Sequence, residues 1–251
     1  MTDSLKIKNF FLCACIVIAG TVASSCSDSS SSKSAKEKHK AERALKRFSL
    51  VSRDAARHSI KMVFQRGQEE GRSFVVKWPG SETLSGEAHN FATFVSKKWE
   101  LDDASIWFLP NDPMVDALQR NGKTLPERIS NNENEGALDD VKEAFGYSMA
   151  VPPTLSRSIR DVPSGPFPLM WTRGLGDGDS ESEWGEGSPW HGAGGHVLFS
   201  NGKVVWYEST RNENNPQGVF KKFRPKGDEG EDSYVSDIGD AIPIGWTILS
   251  P

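Results

Sequence analysis

The sequence predicts an α+β protein in which one long N-terminal helix packs on an antiparallel β-sheet. Residues 35–71 contain no proline and are rich in Ala, Lys, Arg and Glu, which is the composition of a long helix. The rest of the chain carries short runs of β-forming residues separated by turn-forming residues. No internal repeat is evident, and we expect one long N-terminal helix followed mainly by irregular antiparallel strands.

The composition favours a loop-rich globular domain with no general attraction to nucleic acid. Acidic residues outnumber basic residues by 34 to 30, which gives a net charge of −4. Hydrophobic residues make up 36% of the chain, below the usual level of roughly 45%, and the 23 Gly and 14 Pro indicate many turns. Eight Trp and thirteen Phe still supply a core, because each buried aromatic side chain removes roughly 150–250 Å² from water.

The first 34 residues have the features of an export address. Residues 1–25 combine two lysines, the apolar run 10–23 and small residues before Cys26, which is the pattern of a secretory signal. The segment VASSC resembles a bacterial lipobox, so we expect Cys26 to become the lipidated first residue of the mature protein. Ordinary cleavage after Ala23 or Ser25 is the alternative.

Residues 26–34 would then form a flexible serine-rich tether. A lipid on Cys26 would anchor the protein to a membrane of the cell envelope, facing the periplasm or the exterior. The other two cysteines, Cys13 and Cys15, precede it. The body therefore has no cysteine, which excludes a disulfide framework, a cysteine-based zinc site and a thiol nucleophile there.

The predicted helix over residues 35–71 has an apolar side and an excess of positive charge. Between Lys33 and Arg66 there are eleven Lys and Arg against three acidic residues. This charge indicates either a surface for anionic lipid headgroups or an acidic partner, or simply a solvated helix face. The apolar residues recur near helical spacing at Ala41, Leu45, Phe48, Val51 or Ser52, Ala55, Ile60 and Val63.

Residues 72–251 are predicted to form the α+β globular domain. A helix is expected over residues 85–100, with Phe91, Phe94, Val95 and Trp99 on one side. The remaining expected elements are strands over residues 72–79, 104–113, 146–151, 167–172 and 242–249, with a polar loop over residues 119–136.

The most organised stretch, WHGAGGHVLFSNGKVVWYE (residues 190–208), predicts a β-hairpin. Asn201-Gly202 is a favoured pair for a two-residue type I′ turn. A turn closed there pairs Phe199 with Val204 and Val197 with Trp206, and it places these four side chains on one apolar face. Both faces are partly apolar, so we expect the hairpin to lie centrally in the sheet.

The same stretch carries a resemblance to a known family. His191, nine intervening residues and Asn201-Gly202, together with Gly194 and Gly195, resemble the C-terminal signature of the prepilin-like proteins of Planctomycetes and Verrucomicrobia. That signature is a His, nine residues and an Asp-Gly turn. The segments FGYSMA, PLMWTR and residues 56–79 are also similar to the corresponding parts of those proteins.

The resemblance implies a pilin-like fold, structural roles for the signature residues and a non-enzymatic function. The N-terminus departs from the family, because it lacks the Gly-Phe cleavage site and the following Thr-Leu-Ile-Glu. We therefore expect a pseudopilin-like body behind a lipoprotein-like signal. Its partners would be pilins or proteins of a type II secretion or type IV pilus-like system. A surface lipoprotein that binds an extracellular ligand such as a glycan is the alternative.

Candidate chemistry is sparse. His191 and His196 are separated by four residues with no carboxylate between them, which is not the zincin arrangement. The acidic loop places Asp177, Asp179, Glu181 and Glu183 at alternate positions, and such oxygen ligands suit calcium. No nucleophile elbow, P-loop or dinucleotide fingerprint is present, so we expect no catalytic residues and calcium as the only candidate cofactor.

Overall fold

A computed structural model describes residues 30–70, 78–84, 86–129, 138–154, 165–176, 183–225 and 230–251. The chain divides into two compact units, Met1–Ala44 and Leu45–Pro251. The described part of the first unit is helical, and the second unit contains the sheet and the remaining helices. Among the described residues, no helix combines the length and the apolar character needed to cross a bilayer. The predicted signal, Cys26 and the strand over residues 72–77 lie outside the described residues.

The elements confirm the α+β fold class. The helices are α1 (Ser30–Glu70), α2 (Ser81–Leu84), α3 (Ala88–Trp99) and α4 (Pro113–Arg120), with 3-10 turns at Ala104–Ile106, Asp139–Ala144 and Gly239–Ala241. The strands are β1 (Tyr147–Val151), β2 (Pro168–Thr172), β3 (Gly195–Phe199), β4 (Val204–Tyr207), β5 (Phe220–Lys221), β6 (Tyr234–Val235) and β7 (Thr247–Leu249). Helix α1 therefore begins before residue 35 and includes residues 30–34, which the sequence assigned to the tether.

Five strands form the main antiparallel sheet, in the order β4-β3-β2-β1-β7, and β5 pairs with β6 in a second, two-stranded sheet. One face of the main sheet packs with α1 and α3 in the larger hydrophobic core. The opposite face contributes Trp171 and Val197 to a second core together with Phe220 of β5 and Ile238. Because both faces are covered, every residue of β1 and β2 is buried.

The part of α1 that lies against the sheet presents small residues followed by larger ones. Ser52, Ala56, Ser59 and Ile60 are buried, and Phe64 continues the same side one turn later. The Tyr147 hydroxyl of β1 donates to the Ala56 carbonyl across 3.3 Å. The helical periodicity was predicted, and Ile60 and Val63 are buried as expected. Of the two alternatives Val51 and Ser52, Ser52 is the buried one, and the prediction was wrong at Ala55, which is exposed while Ala56 is buried.

Helix α3 was predicted and places its aromatic residues in the core. Phe91, Val95 and Trp99 are buried and Phe94 packs beside them. The ring of Phe91 lies 4.9 Å from Trp78, whose indole N–H donates to the Ala150 carbonyl of β1. These contacts fix α3 to the sheet through a side-chain hydrogen bond as well as through apolar burial.

The strand predicted over residues 104–113 is wrong. The apolar run instead forms a 3-10 turn, which Asp103 caps by accepting from the Ser105 amide, and α4 follows. Asp112 caps α4 by accepting from the Met114 amide, and Pro113 occupies the first helical turn. A short apolar run does not distinguish a strand from a buried helical turn. The Asp-Pro pair was the missed signal, because it is typical of a helix start.

The hairpin exists, but its register differs from the prediction by one residue. Leu198 pairs with Val204 and His196 with Trp206. The Gly202 amide donates to the Phe199 carbonyl, and the Phe199 amide donates to the Lys203 carbonyl. Of the two turn residues only Gly202 has a positive φ. The turn is therefore a three-residue loop that ends in a left-handed glycine.

This one-residue shift changes which side chains share a face. Leu198 and Val204 pack in the core that contains α1, whereas Val197 and Phe199 pack on the opposite side of the sheet. Strand β4 lies at one end of the strand order, so only the β3 half of the hairpin is central. The hairpin prediction was right about the element and wrong about its pairing.

A buried ion pair joins α4 to the residue that follows β2. Asp112 is fully buried and Arg173 is nearly so, and their side chains are in hydrogen-bonding contact. The guanidinium of Arg173 also donates to the Glu143 carbonyl across 2.7 Å. Burial raises the pKa of Asp112, and Arg173 opposes that shift. The pair therefore fixes three chain segments at one point.

Replacing Arg173 by Met should lower the free energy of unfolding by roughly 3–5 kcal/mol, because Asp112 would remain buried without its partner. The double variant Asp112→Asn/Arg173→Met should lose less than the single variant, since Asn still caps α4. Urea unfolding followed by circular dichroism measures both. Arg128→Met, at an exposed position, is the control. A single-variant loss as small as that of the control would contradict the assignment.

Candidate functional site

The glycines of the signature lie where other side chains occupy the space of a Cβ atom. At Gly195 a Cβ would lie 2.4 Å from Nε1 of Trp184, whose indole N–H donates to the Thr172 carbonyl. At Gly202, where φ is +81°, a Cβ would lie 2.6 Å from the ring of Phe64 on α1. Gly194 lies just before β3, close against the Tyr207 carbonyl. These positions therefore serve close packing.

His191 lies in the loop before β3 and its side chain is 63% exposed. Its backbone adopts a positive φ of 50°, and its amide donates to the Ser188 carbonyl. Its Nδ1 lies 4.0 Å from a carboxylate oxygen of Glu186. His191 therefore contacts the loop backbone through its own main chain.

His196 has a different environment, because it is only 4% exposed in the middle of the hairpin. Its ring lies 5.0 Å from Trp206 and 5.8 Å from Trp190, and both contacts are edge to face. Burial, together with the positive charges of Arg57 and Arg53, lowers the pKa of His196 to about 4. This side chain is therefore neutral near neutral pH.

A groove of about 450 Å³ lies between α1 and β4, over His196. Helix α1 contributes Leu50, Arg53, Asp54 and Arg57, and the hairpin contributes residues 203–206 together with His196. We call this feature the α1–β4 groove. Its lining contains three cationic side chains (Arg53, Arg57 and Lys203) and one carboxylate (Asp54), so its net charge is positive.

The guanidinium of Arg53 lies 4.0 Å above the ring of Trp206, a cation–π contact that holds this cation at the groove wall. Burial lowers the pKa of Arg53, and the charge of Glu208 opposes that shift. Arg53 is therefore a partly desolvated cation, whose attraction for an anion is stronger than that of a fully solvated one.

Three buried polar atoms around the α1–β4 groove lack a hydrogen-bond partner in the part of the chain that the structure describes. They are Arg53 Nε, His196 Nδ1 and Trp206 Nε1. A buried polar atom without a partner costs about 1–3 kcal/mol. Such unmade hydrogen bonds are rare in folded proteins, and three around one groove mark it as the strongest candidate site.

Only weak signals for this groove are present in the amino-acid sequence. Arg53 and Arg57 are four residues apart on a helix, which places them on one side. Trp206, however, is distant from these arginines in the chain. The predicted hairpin register also placed it on the opposite face of the hairpin from side chains that it contacts in the structure. Only the packing of α1 on the hairpin brings these groups together.

The acidic loop is only partly described. Asp177, Asp179 and Glu181 lie outside the described residues, so the calcium site stays a prediction. Glu183 accepts hydrogen bonds from the Ser209 hydroxyl and from the amide and hydroxyl of Thr210, at 2.8 to 3.1 Å. Both of its carboxylate oxygens therefore accept hydrogen bonds that connect this loop to the segment after β4.

Glu87, His89 and Asp139 form a second cluster, with ligand-type atoms within 4.8 Å of one another. Nε2 of His89 lies 2.9 Å from Asp139, and Nδ1 lies 3.3 Å from Glu87. The Lys142 ammonium donates to Glu87, which lowers the pKa of that carboxyl. Each ring nitrogen of His89 lies beside a different carboxylate and Lys142 pairs with Glu87, so these side chains are already engaged with one another.

Comparison with known proteins gives no further guidance. No family model matches the chain, and neither a curated protein nor a solved structure matches it. The prepilin-like resemblance therefore stays an expectation that rests on the residues named above.

The buried His196 should make stability fall as the pH decreases from 6.5 to about 4. The unfolded state takes up the proton near the ordinary pKa of 6.5, whereas the native state resists it until about pH 4. This difference corresponds to about 3 kcal/mol. Urea unfolding at several pH values should show that His196→Gln loses this part of the pH dependence. The exposed His58→Gln should retain it, and parallel pH profiles for wild type and His196→Gln would contradict the assignment.

Proposed function

We propose that the chain is a non-enzymatic, pseudopilin-like protein of the cell envelope. It would be anchored by lipid at Cys26 and act as a structural or accessory component of a type II secretion or type IV pilus-like system. One observation in particular supports this proposal: α1 contacts the sheet with one side, while Leu50 and Val51 on another side are 57% and 61% exposed. Adjacent exposed apolar residues on a helix indicate a surface that another protein covers.

The signature residues are consistent with this proposal. Gly202 closes the hairpin against Phe64 of α1, and Gly195 makes room for Trp184 under the sheet. A signature that specifies packing between helix and hairpin suits a scaffold rather than an enzyme.

The alternative, a lipoprotein that binds a neutral glycan, is less well supported. Sugar recognition commonly uses an open aromatic face. Among the eight tryptophans and three tyrosines, all within the described ranges, only Tyr234 is exposed. The face of Trp206 in particular is occupied by Arg53. We therefore give preference to a protein partner.

Covering of α1 by a partner can be tested by photo-crosslinking in cells. A photoreactive amino acid at Val51 should give a crosslinked product with an envelope protein, which mass spectrometry identifies. The same group at Gln68, which is also exposed on α1 but lies about five turns further along the helix, is the control. A partner that carries a pilin-type N-terminus supports the proposal. Equal labelling at both positions, or products only with enzymes of polysaccharide degradation, would overturn it.

The anchor can be tested separately with a metabolic fatty-acid label. The wild-type chain should incorporate the label and sediment with membranes. Cys26→Ser should do neither, because the thiol is the acylated atom, whereas Cys15→Ser should affect the label much less. Labelling of Cys26→Ser at the wild-type level would refute lipid attachment at this residue.

A further inference from the structure

We propose that the α1–β4 groove binds an extended, carboxylate-bearing peptide segment of a partner protein, which pairs with the free edge of β4. This inference deepens the proposed function by naming the chemistry of a partner, and it depends on that function only in assuming a protein partner. It can be tested on the purified chain without any secretion machinery.

The charge of the groove favours an acidic ligand. Arg53 and Arg57 stand one helical turn apart on α1, and Lys203 lies across from them at the end of the hairpin. Asp54 is the one carboxylate among the described residues of the groove lining, and Glu208, outside that lining, also acts on Arg53. Guanidinium groups bind carboxylates in a planar, two-point geometry, so side chains of Asp or Glu are well matched to this pair of arginines.

The unpartnered polar atoms indicate a ligand that supplies hydrogen bonds. His196 is almost completely buried, lines the groove and has no partner at Nδ1 among the described residues. The N–H groups of Arg53 Nε and Trp206 Nε1 lack acceptors in the same part of the chain. The carbonyl and carboxylate oxygens of an acidic peptide are suitable acceptors for these N–H groups.

The backbone of β4 favours an extended ligand. Within the described sheet β4 pairs on one side only, with β3. Because the Phe199 amide donates to Lys203, the alternation of an antiparallel ladder directs the amides and carbonyls of Val204 and Trp206 towards the outer edge. The four residues of β4 span roughly 13 Å, enough for a short strand to pair by edge addition.

The aromatic groups of the groove disfavour a glycan at the same place. The face of Trp206 carries Arg53 at 4.0 Å. The rings of Trp190 and His196 also pack against Trp206, with centroids at 5.2 and 5.0 Å. A sugar ring could stack on Trp206 only after Arg53 is displaced, whereas a carboxylate can bind Arg53 where it lies.

The test is fluorescence anisotropy with the purified full chain and a labelled hexapeptide of alternating Glu and Val. Binding should weaken steeply when NaCl rises from about 50 to about 300 mM, because the attraction is electrostatic. The double variant Arg53→Gln/Arg57→Gln should bind at least roughly tenfold more weakly. Lys203→Gln should also weaken binding. Because Lys203 is exposed beside the hairpin turn, this variant leaves the Arg53–Trp206 contact in place.

The matched control is Lys61→Gln/Arg66→Gln, which removes two exposed cations of α1 outside the groove lining. It should bind within about twofold of wild type. A peptide with N-methyl groups on alternate amides should bind much more weakly if it pairs with β4.

If the control variant loses as much affinity for the peptide as the groove variant, the interaction is a general charge attraction and the proposal is overturned. Unchanged binding of the N-methylated peptide would overturn edge pairing. Tighter binding of polygalacturonate than of the peptide would assign the groove to an acidic glycan instead. If the peptide binds but Val51 gives no crosslinks, this inference is retained and the proposed function is rejected. If Val51 gives crosslinks but the peptide does not bind, this inference is rejected and the proposed function is retained.

Discussion

The close packing of α1 on the hairpin is the constraint on which the rest of the arrangement depends. Small residues at Ser52 and Ala56 let the helix approach the sheet, and the larger Phe64 reaches the hairpin turn at Gly202. The Ser52 hydroxyl links the layers by donating to the Pro110 carbonyl and accepting from the Trp190 indole. Close-packed interiors tolerate little change in volume, so this approach fixes the position of the helix.

That position also determines which helix residues become available to a partner. Because Ser52 and Ala56 are buried against the sheet, Arg53 lies over the ring of Trp206, and Leu50 and Val51 remain exposed. A rotation of the helix by one residue would bury different groups and remove the α1–β4 groove. The structural role of α1 and its candidate binding surface are therefore two consequences of one packing arrangement.

Buried polar atoms without partners occur at two places in the described part of the fold. Asp112 and Arg173 form an ion pair, and Arg173 also donates to a backbone carbonyl, but Asp112 Oδ2 and Arg173 Nε lack partners. Around the α1–β4 groove, three polar atoms lack partners in the described part of the chain, and these lie beside an open groove. Sites that break the usual rule of satisfied polar groups are where binding is expected.

Local patterns predicted the elements that local interactions dominate. The apolar side of α3 and the strands β1 and β2 followed from periodicity and from runs of β-forming residues. The hairpin register did not, because the Asn-Gly pair is compatible with a two-residue turn and also with a three-residue loop that ends in glycine. The choice depends on Phe64 packing against Gly202 and on the covered faces of the sheet, and those contacts are distant in sequence.

The sequence by itself determined the α+β class, the long amphipathic helix and the presence of a glycine-rich hairpin, since each depends on spacing along the chain. It also carried the patterns that predict an export signal and that resemble the prepilin-like signature, and the proposed function rests on these patterns. Only the tertiary structure decided that Ser52 rather than Val51 is buried, how the hairpin pairs, and that Arg53, His196 and Trp206 meet. These depend on packing between segments about 150 residues apart, and no local periodicity encodes that contact.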